Sequence, residues 1–215
     1  IEVTWPWSLD PNDLSLRVNS CTRLKGTRGG LDPGALLFDT NRTDAHAAFV
    51  VYGHDVKIEG LRLRGPSQGN RNSSQPWAAG IEIRVDPTIG TGRNVLMTNN
   101  ELWHWTEAGV SVTSTSVPRM ASSQASHVSV LRNYFHDNAR ENLGYGVVVW
   151  QGAYALIEGN LFDRNRHAIA ASWGPSNGYI ARYNYILAGG YTVCEWWGCY
   201  YNQHFDVHGE FGGYG

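Results

Sequence analysis

The run His204-Phe205-Asp206-Val207-His208 gathers the chain's most reactive side chains into five residues. In a β-strand alternate residues share a face, so Phe205 and Val207 form an apolar side and His204, Asp206 and His208 a polar one. Three readings fit that polar side. A histidine oriented by a carboxylate takes up and gives back a proton near neutral pH. Two imidazoles and a carboxylate on one face are also a ligand set for a divalent transition ion. The third reading is a solvated strand face with no chemistry. His167, in Asn-Arg-His-Ala-Ile-Ala, begins another β-prone run and either joins this group or caps a turn.

What must position these residues is a repeat. The stretches "DVKIEGLRLRG", "RNVLMTNNELWHW", "SHVSVLRNYFHDN", "AYALIEGNLFDRN" and "NGYIARYNYILAG" align on Gly60, Asn100, Asn133, Asn160 and Asn184. Two residues on stand Arg62, Leu102, Phe135, Phe162 and Ile186. A second short run follows all but the last, starting at Gly80, Gly109, Gly146 and Ala168. Alternation with period 2 dominates and no helical period of 3.6 is sustained. Such a strand–turn–strand unit buries its apolar face only when stacked on copies of itself. The expectation is an all-β parallel β-helix in one domain spanning residues 1–215, with coils over about 30–209. Asparagines stacked in one turn would bond up and down the column and form a ladder. The variable spacing puts insertions in loops, at 66–79 and 114–125, on the side where a binding face would grow.

Aligning the apolar positions sets outward residues in rows: Ser111 and Thr113, Val148 and Trp150, Ala170 and Ser172, Asp206 and His208. Ala168, Ala170 and Ser172 would leave a recess beside Asp206, with Trp150 as a wall. Arg166 and Arg182 match planar oxyanions, or form ion pairs with Asp163 or Glu158. Glu82, Arg84 and Asp86 would lie at the far end of a groove, or are solvated charge. His104, His136 and Asp137 are expected to cap turns. Trp77, Trp103, Trp105, Trp150, Trp173, Trp196 and Trp197 offer flat faces suited to sugar rings, or pack loops onto the coil exterior.

The repeat resembles the right-handed parallel β-helix, or pectate-lyase-like, superfamily, over roughly residues 30–209. That resemblance implies a carbohydrate-active protein, and polysaccharide lyases, epimerases, glycoside hydrolases and non-enzymatic surface modules all share it. Asp206-Val207-His208 is also similar to an Asp-x-His motif of mannuronan C5-epimerases. Those enzymes carry a Tyr three residues before the Asp, where this chain has Gln203. The expected activity is acid–base chemistry of lyase or epimerase type on a uronate polymer. Asp206, His208, His204 and His167 would carry it, and Arg166, Arg182, Trp150 and Trp173 would bind substrate. A non-catalytic glycan-binding or fibre module is the alternative.

Composition agrees. The net charge of −2 lacks the basic footprint of a nucleic-acid binder. Low charge with 25 Gly and many aromatics suits a secreted β-protein. No apolar run is long enough to span a bilayer. The chain begins at Ile1 without a signal peptide, as a processed or trimmed chain would. It closes in Gly-rich sequence, which either caps the stack or belongs to a longer one. Cys194 and Cys199 are spaced for a small disulfide loop, and no Cys-x-x-Cys zinc pattern occurs. No phosphate-cradling glycine loop or Gly-x-Ser-x-Gly elbow is present. The sequence fixes no oligomeric state.

Overall fold

Val56-Lys57-Ile58-Glu59 shows the local rule: the β-branched residues turn inward and are buried, while Lys57 and Glu59 stay half-buried. The computed structural model describes residues 3–4, 15–39, 46–67, 74–86, 89–114, 127–172, 177–187, 193–195, 198–200 and 203–208. Twenty-two strands and no helix occur among them. After β1 (Val3–Thr4) the strands come in rounds of three. The first round is β2 (Leu16–Val18), β3 (Arg23–Lys25) and β4 (Leu36–Phe38), so the coils begin well before residue 30. The second is β5 (His46–Val51), β6 (Val56–Glu59) and β7 (Arg62–Arg64). The third is β8 (Ala78–Val85), β9 (Val95–Thr98) and β10 (Glu101–Trp103). The fourth is β11 (Ala108–Ser114), β12 (Val128–Leu131) and β13 (Tyr134–His136). The fifth is β14 (Tyr145–Trp150), β15 (Tyr154–Glu158) and β16 (Leu161–Asp163). The sixth is β17 (His167–Ser172), β18 (Gly178–Arg182) and β19 (Tyr185–Ile186). A hairpin of β20 (Val193–Glu195) and β21 (Gly198–Tyr200) precedes β22 (Phe205–His208).

Each strand of a round pairs in parallel with its counterpart one round later. Three sheets result: a first sheet from β2 to β22, a second from β3 to β18 and a third from β1 to β19. This is the parallel β-helix the repeat implies. Ile81, Val110, Val147 and Ile169 stack inside the first sheet, Met97, Val130 and Ile157 inside the second, and Leu63, Leu102, Phe135 and Phe162 inside the third. The Phe135 and Phe162 rings lie 5.2 Å apart. Trp105 is also inside, 1% exposed, with its indole N–H donating to the Leu63 carbonyl. The expectation that the tryptophans are peripheral fails there.

The asparagine ladder runs at the corner between the second and third sheets. The Asn100 side-chain amide donates to Asn133 Oδ1 at 3.0 Å, Asn133 to Asn160 at 3.1 Å and Asn160 to Asn184 at 3.0 Å. Each Asn oxygen also accepts the backbone N–H of the preceding rung. The left-handed residue is not the ladder Asn but the one before it: Asn99, Arg132, Gly159 and Tyr183 all have positive φ. Gly60, with φ 69°, belongs to that column, and Leu61 takes the rung position, its N–H bonded to Asn100 Oδ1. The sequence register was thus one residue off in this coil, and Leu63 rather than Arg62 fills the interior beside Leu102. A second ladder, unforeseen, turns the third sheet into the first: Asn165 Oδ1 accepts the Asn138 side-chain amide at 2.9 Å, and Asn138 Oδ1 accepts the Trp105 backbone N–H.

Strict alternation also breaks at the start of the first-sheet strands. Gly146 faces inward, where a Cβ would stand 2.6 Å from both Phe162 and the Ala168 carbonyl. Ala168 occupies the next level of that column and joins the main core, so it is not part of an outward row. Tyr145 and His167, paired across β14 and β17, swing to the outer face instead.

Candidate functional site

Two clusters sit on the outer face of the first sheet. The larger is a cavity of about 580 Å³. Its floor is the outward side chains of Glu82 on β8, Ser111 and Thr113 on β11, and Trp150 on β14; its wall is Trp77, Glu107, Asn142, Leu143 and Tyr145. The wall residues come from segments that enter the first sheet, where the coil length varies most. Trp77 ends the 66–79 insertion and is 55% exposed. Glu107 is fixed by its backbone: its N–H donates to Ala78, and its carbonyl accepts the N–H groups of Gly144 and Tyr145.

Glu107 carries the site's acid–base potential. Burial pushes its carboxyl up to about 7, against the Ser111 hydroxyl that hydrogen-bonds it and with the help of the nearby Glu82 charge. Glu82 is paired with Arg84, Nε to Oε1 at 2.7 Å, and Arg84 is in turn held against the Tyr52 ring and hydroxyl. One carboxyl exchanges its proton near neutrality beside another locked to a guanidinium. That contrast in environment is what assigns acid and base roles in carboxylate pairs.

The second cluster is the histidine–carboxylate pair. His167 Nε2 lies 3.3 Å from Asp206 Oδ2, joining β17 to β22. The register is as expected, with Ala170 beside Asp206 and Ser172 beside His208. The recess is not: Ala170 is buried under an outer apolar cluster of Ala108, Leu143, Tyr145, Val148 and Trp150. His167 itself is buried, with Nδ1 2.6 Å from the Gln203 carbonyl, and the Tyr145 ring stacks on it at 5.5 Å. Tyr145 therefore separates the two clusters while touching both. His204 is exposed just ahead of β22. His208 lies on β22, but its side chain, like Trp173, Trp196, Trp197 and the side chains of Cys194 and Cys199, is outside the described residues; β20 and β21 do set Cys194 opposite Cys199.

The remaining expected residues divide. Arg166 stands over the Tyr145 ring at 6.0 Å and bonds its phenol, on the site's side. Trp150 packs edge-on to Tyr145 and lines the cavity. Arg182 is on the second sheet, paired with Glu158 at 2.6 Å, away from both clusters. His104 and Asp137 do sit in left-handed turns. His136 does not: it lies in β13, stacked on Trp103 and Tyr134, between Glu101 and Asp137. Sequence reasoning missed Glu107 and Tyr145. The available signal for Glu107 was a single charge inside the run Trp105-Thr106-Glu107-Ala108-Gly109-Val110.

A family model described as a right-handed beta helix region matches residues 46–204. The chain belongs to the right-handed β-helix family. No curated protein and no solved structure matches it at a significant level. The match agrees with the three parallel sheets. Among the described residues no helix of this β-helix is long and apolar enough to cross a membrane.

Proposed function

We propose that the protein is a secreted, carbohydrate-active β-helix enzyme that cleaves a neutral polysaccharide by acid–base chemistry at Glu107. The observation that carries this is a carboxyl titrating at about 7 in a cavity it shares with Glu82. Trp77 and Trp150 offer apolar faces for sugar C–H surfaces at the cavity's edges. Glu107, whose carboxyl burial pushes up to about 7, donates its proton to the glycosidic oxygen. The Glu82 carboxylate then either attacks the anomeric carbon or activates a water against it. The described lining of the cavity holds no Lys or Arg to meet the carboxylates of a polyuronate, which turns the preference from lyase or epimerase chemistry toward hydrolysis.

A second reading rests on the His167–Asp206 contact: an imidazole–carboxylate pair suited to proton abstraction from a uronate, with Arg166 nearby to meet the substrate carboxylate. A panel of neutral and uronate polymers, with Glu107→Gln and Asp206→Asn, separates the readings. New reducing ends that vanish in Glu107→Gln establish the hydrolase. Unsaturated ends or C5 inversion that vanish in Asp206→Asn and survive Glu107→Gln establish the second reading. Binding without turnover of any polymer makes the chain a non-catalytic glycan module.

A further inference from the structure

We propose that Cys21, His54 and Asp55 form a site for a divalent transition-metal ion of Zn²⁺ type that clamps the first coil to the second. A sulfur, an imidazole nitrogen and a carboxylate oxygen from these residues lie within 4.8 Å of one another. A four-coordinate ion with bonds of about 2.0–2.3 Å holds its ligands roughly 3.5 Å apart, so small side-chain rotations close the set and leave one position for water. Mixed thiolate, imidazole and carboxylate donors suit zinc or cobalt and not calcium or magnesium, which take oxygen.

The backbone prepares the geometry. Pairing of Arg23 with Lys57 sets Cys21 level with Asp55, in adjacent coils at the corner between the first and second sheets. The Cys21 N–H donates to the His54 carbonyl at 2.9 Å. Both Cys21 and Asp55 hold left-handed backbones, with φ 57° and 55°. The same corner carries Asn94 and then His127 in the next two coils, both left-handed as well, so the column accepts varied side chains. The Asn94 amide donates to Asp55 Oδ1 at 2.6 Å, and His54 Nδ1 contacts Asp55 Oδ2 at 2.7 Å. The Asn94 contact is of the kind that orients a ligating carboxylate, and the His54–Asp55 contact brings two of the ligands together.

The location gives the clamp a purpose. The ladder column that ties later coils together has Thr27 and Leu61 at its first two levels, and neither supplies a side-chain amide. A metal bridging Cys21 to His54 and Asp55 would join those coils at the neighbouring corner. Because Cys21 and Asp55 are exposed, an ion reaches the site without unfolding.

The test is Co²⁺ added alone to the reduced full chain, read by thiolate-to-cobalt absorption in the near ultraviolet. The expected band saturates at one equivalent and is displaced by Zn²⁺. It should survive in Cys194→Ser/Cys199→Ser, disappear in Cys21→Ser and fall at least tenfold in affinity in His54→Ala. Far-ultraviolet circular dichroism confirms that each variant is folded, and Zn²⁺ should raise the Tm of the native chain but not of Cys21→Ser. Absence of the band in the native chain, or a band undiminished in Cys21→Ser or His54→Ala, overturns the proposal.

Discussion

At the scale of single residues, Glu107 couples function to stability in opposite senses. Its carboxyl is raised from an ordinary 4.5 to about 7 by burial. A raised carboxyl contributes fully below 4.5, and that contribution is lost as pH climbs through 7, where the charge must be carried in a desolvated place. Glu107→Gln removes the charge and keeps a partner for Ser111. The expected outcome is a stability advantage over the native chain that is small at pH 5 and grows by pH 8 to on the order of 2 kcal/mol. If Glu107 is the acid, turnover falls about 10²- to 10⁴-fold in the same variant. Thermal melts at the two pH values check the first half independently of any substrate, and a Tm difference that does not change with pH would remove the physical basis of the proposed acid. Asp206→Asn breaks the contact with His167 but leaves the cavity intact, so under the hydrolase reading its turnover stays within a few-fold of native.

At the scale of elements, the sequence showed most of what holds the coils together and little of what makes the cavity. The Asn100, Asn133, Asn160 and Asn184 column was readable because one residue type at one place in each repeat has a simple physical reason. The second column, Asn138 and Asn165, sat in the same quoted stretches and went unread because only two coils contribute to it. The Gly60 register slip arose because a left-handed glycine and a ladder asparagine both mark the same corner, one residue apart. Ala168 was misplaced because alternation holds only inside a strand, and the corner at Gly146 resets it. Glu107 was invisible for a related reason: its neighbours Glu82 and Ala78 are brought to it by coil stacking, which sequence adjacency does not express. The ladder yields its own test. Asn133 is buried and serves Asn100, Asn160 and the Met97 carbonyl, so Asn133→Ala leaves several buried polar groups unpaired and should cost about 2–4 kcal/mol. Asn184, half-buried at the end of the column, should cost less than half as much. Urea midpoints at unchanged m-value decide, and equal losses at the two positions would mean the column does not act as a graded stack. Gly146→Ala tests the corner: its new methyl meets Phe162 and the Ala168 carbonyl, for a loss of about 1–3 kcal/mol.

At the scale of the whole molecule, the outer face of the third sheet supplies an acid limit that the catalytic question does not touch. Arg28 and Arg62 meet Glu101, His136 bridges Glu101 to Asp137, and Arg164 closes the row on Asp137 and Asp163. Burial works against the Glu101 carboxyl, but hydrogen bonds from His136 and Arg62 outweigh it and hold it down to about 2. Asp137 is likewise held to about 2, with Arg164 and His136 overcoming its burial. A depressed carboxyl contributes stability above its unfolded value and loses it as pH falls toward the folded one. Stability should therefore decline between about pH 4.5 and 2, with Glu101→Gln flattening that slope and lowering stability at pH 6. The network spans five successive coils, and in a stack where each coil touches only its neighbours, stability varies along the axis. Inward residues of the middle coils, Ile81, Val110 and Val147, are fully buried, whereas Phe205 and Val207 on β22 are 51% and 54% exposed. Amide exchange should then be slowest in β8, β11 and β14 and fastest in β18 and β22. The Glu107 cavity lies on the slow part and the His167–Asp206 pair at its fast edge. A bound oligosaccharide that slows exchange in β8 and β11 alone would mark the cavity as the working site, and one that slows β17 and β22 alone would move the chemistry to Asp206.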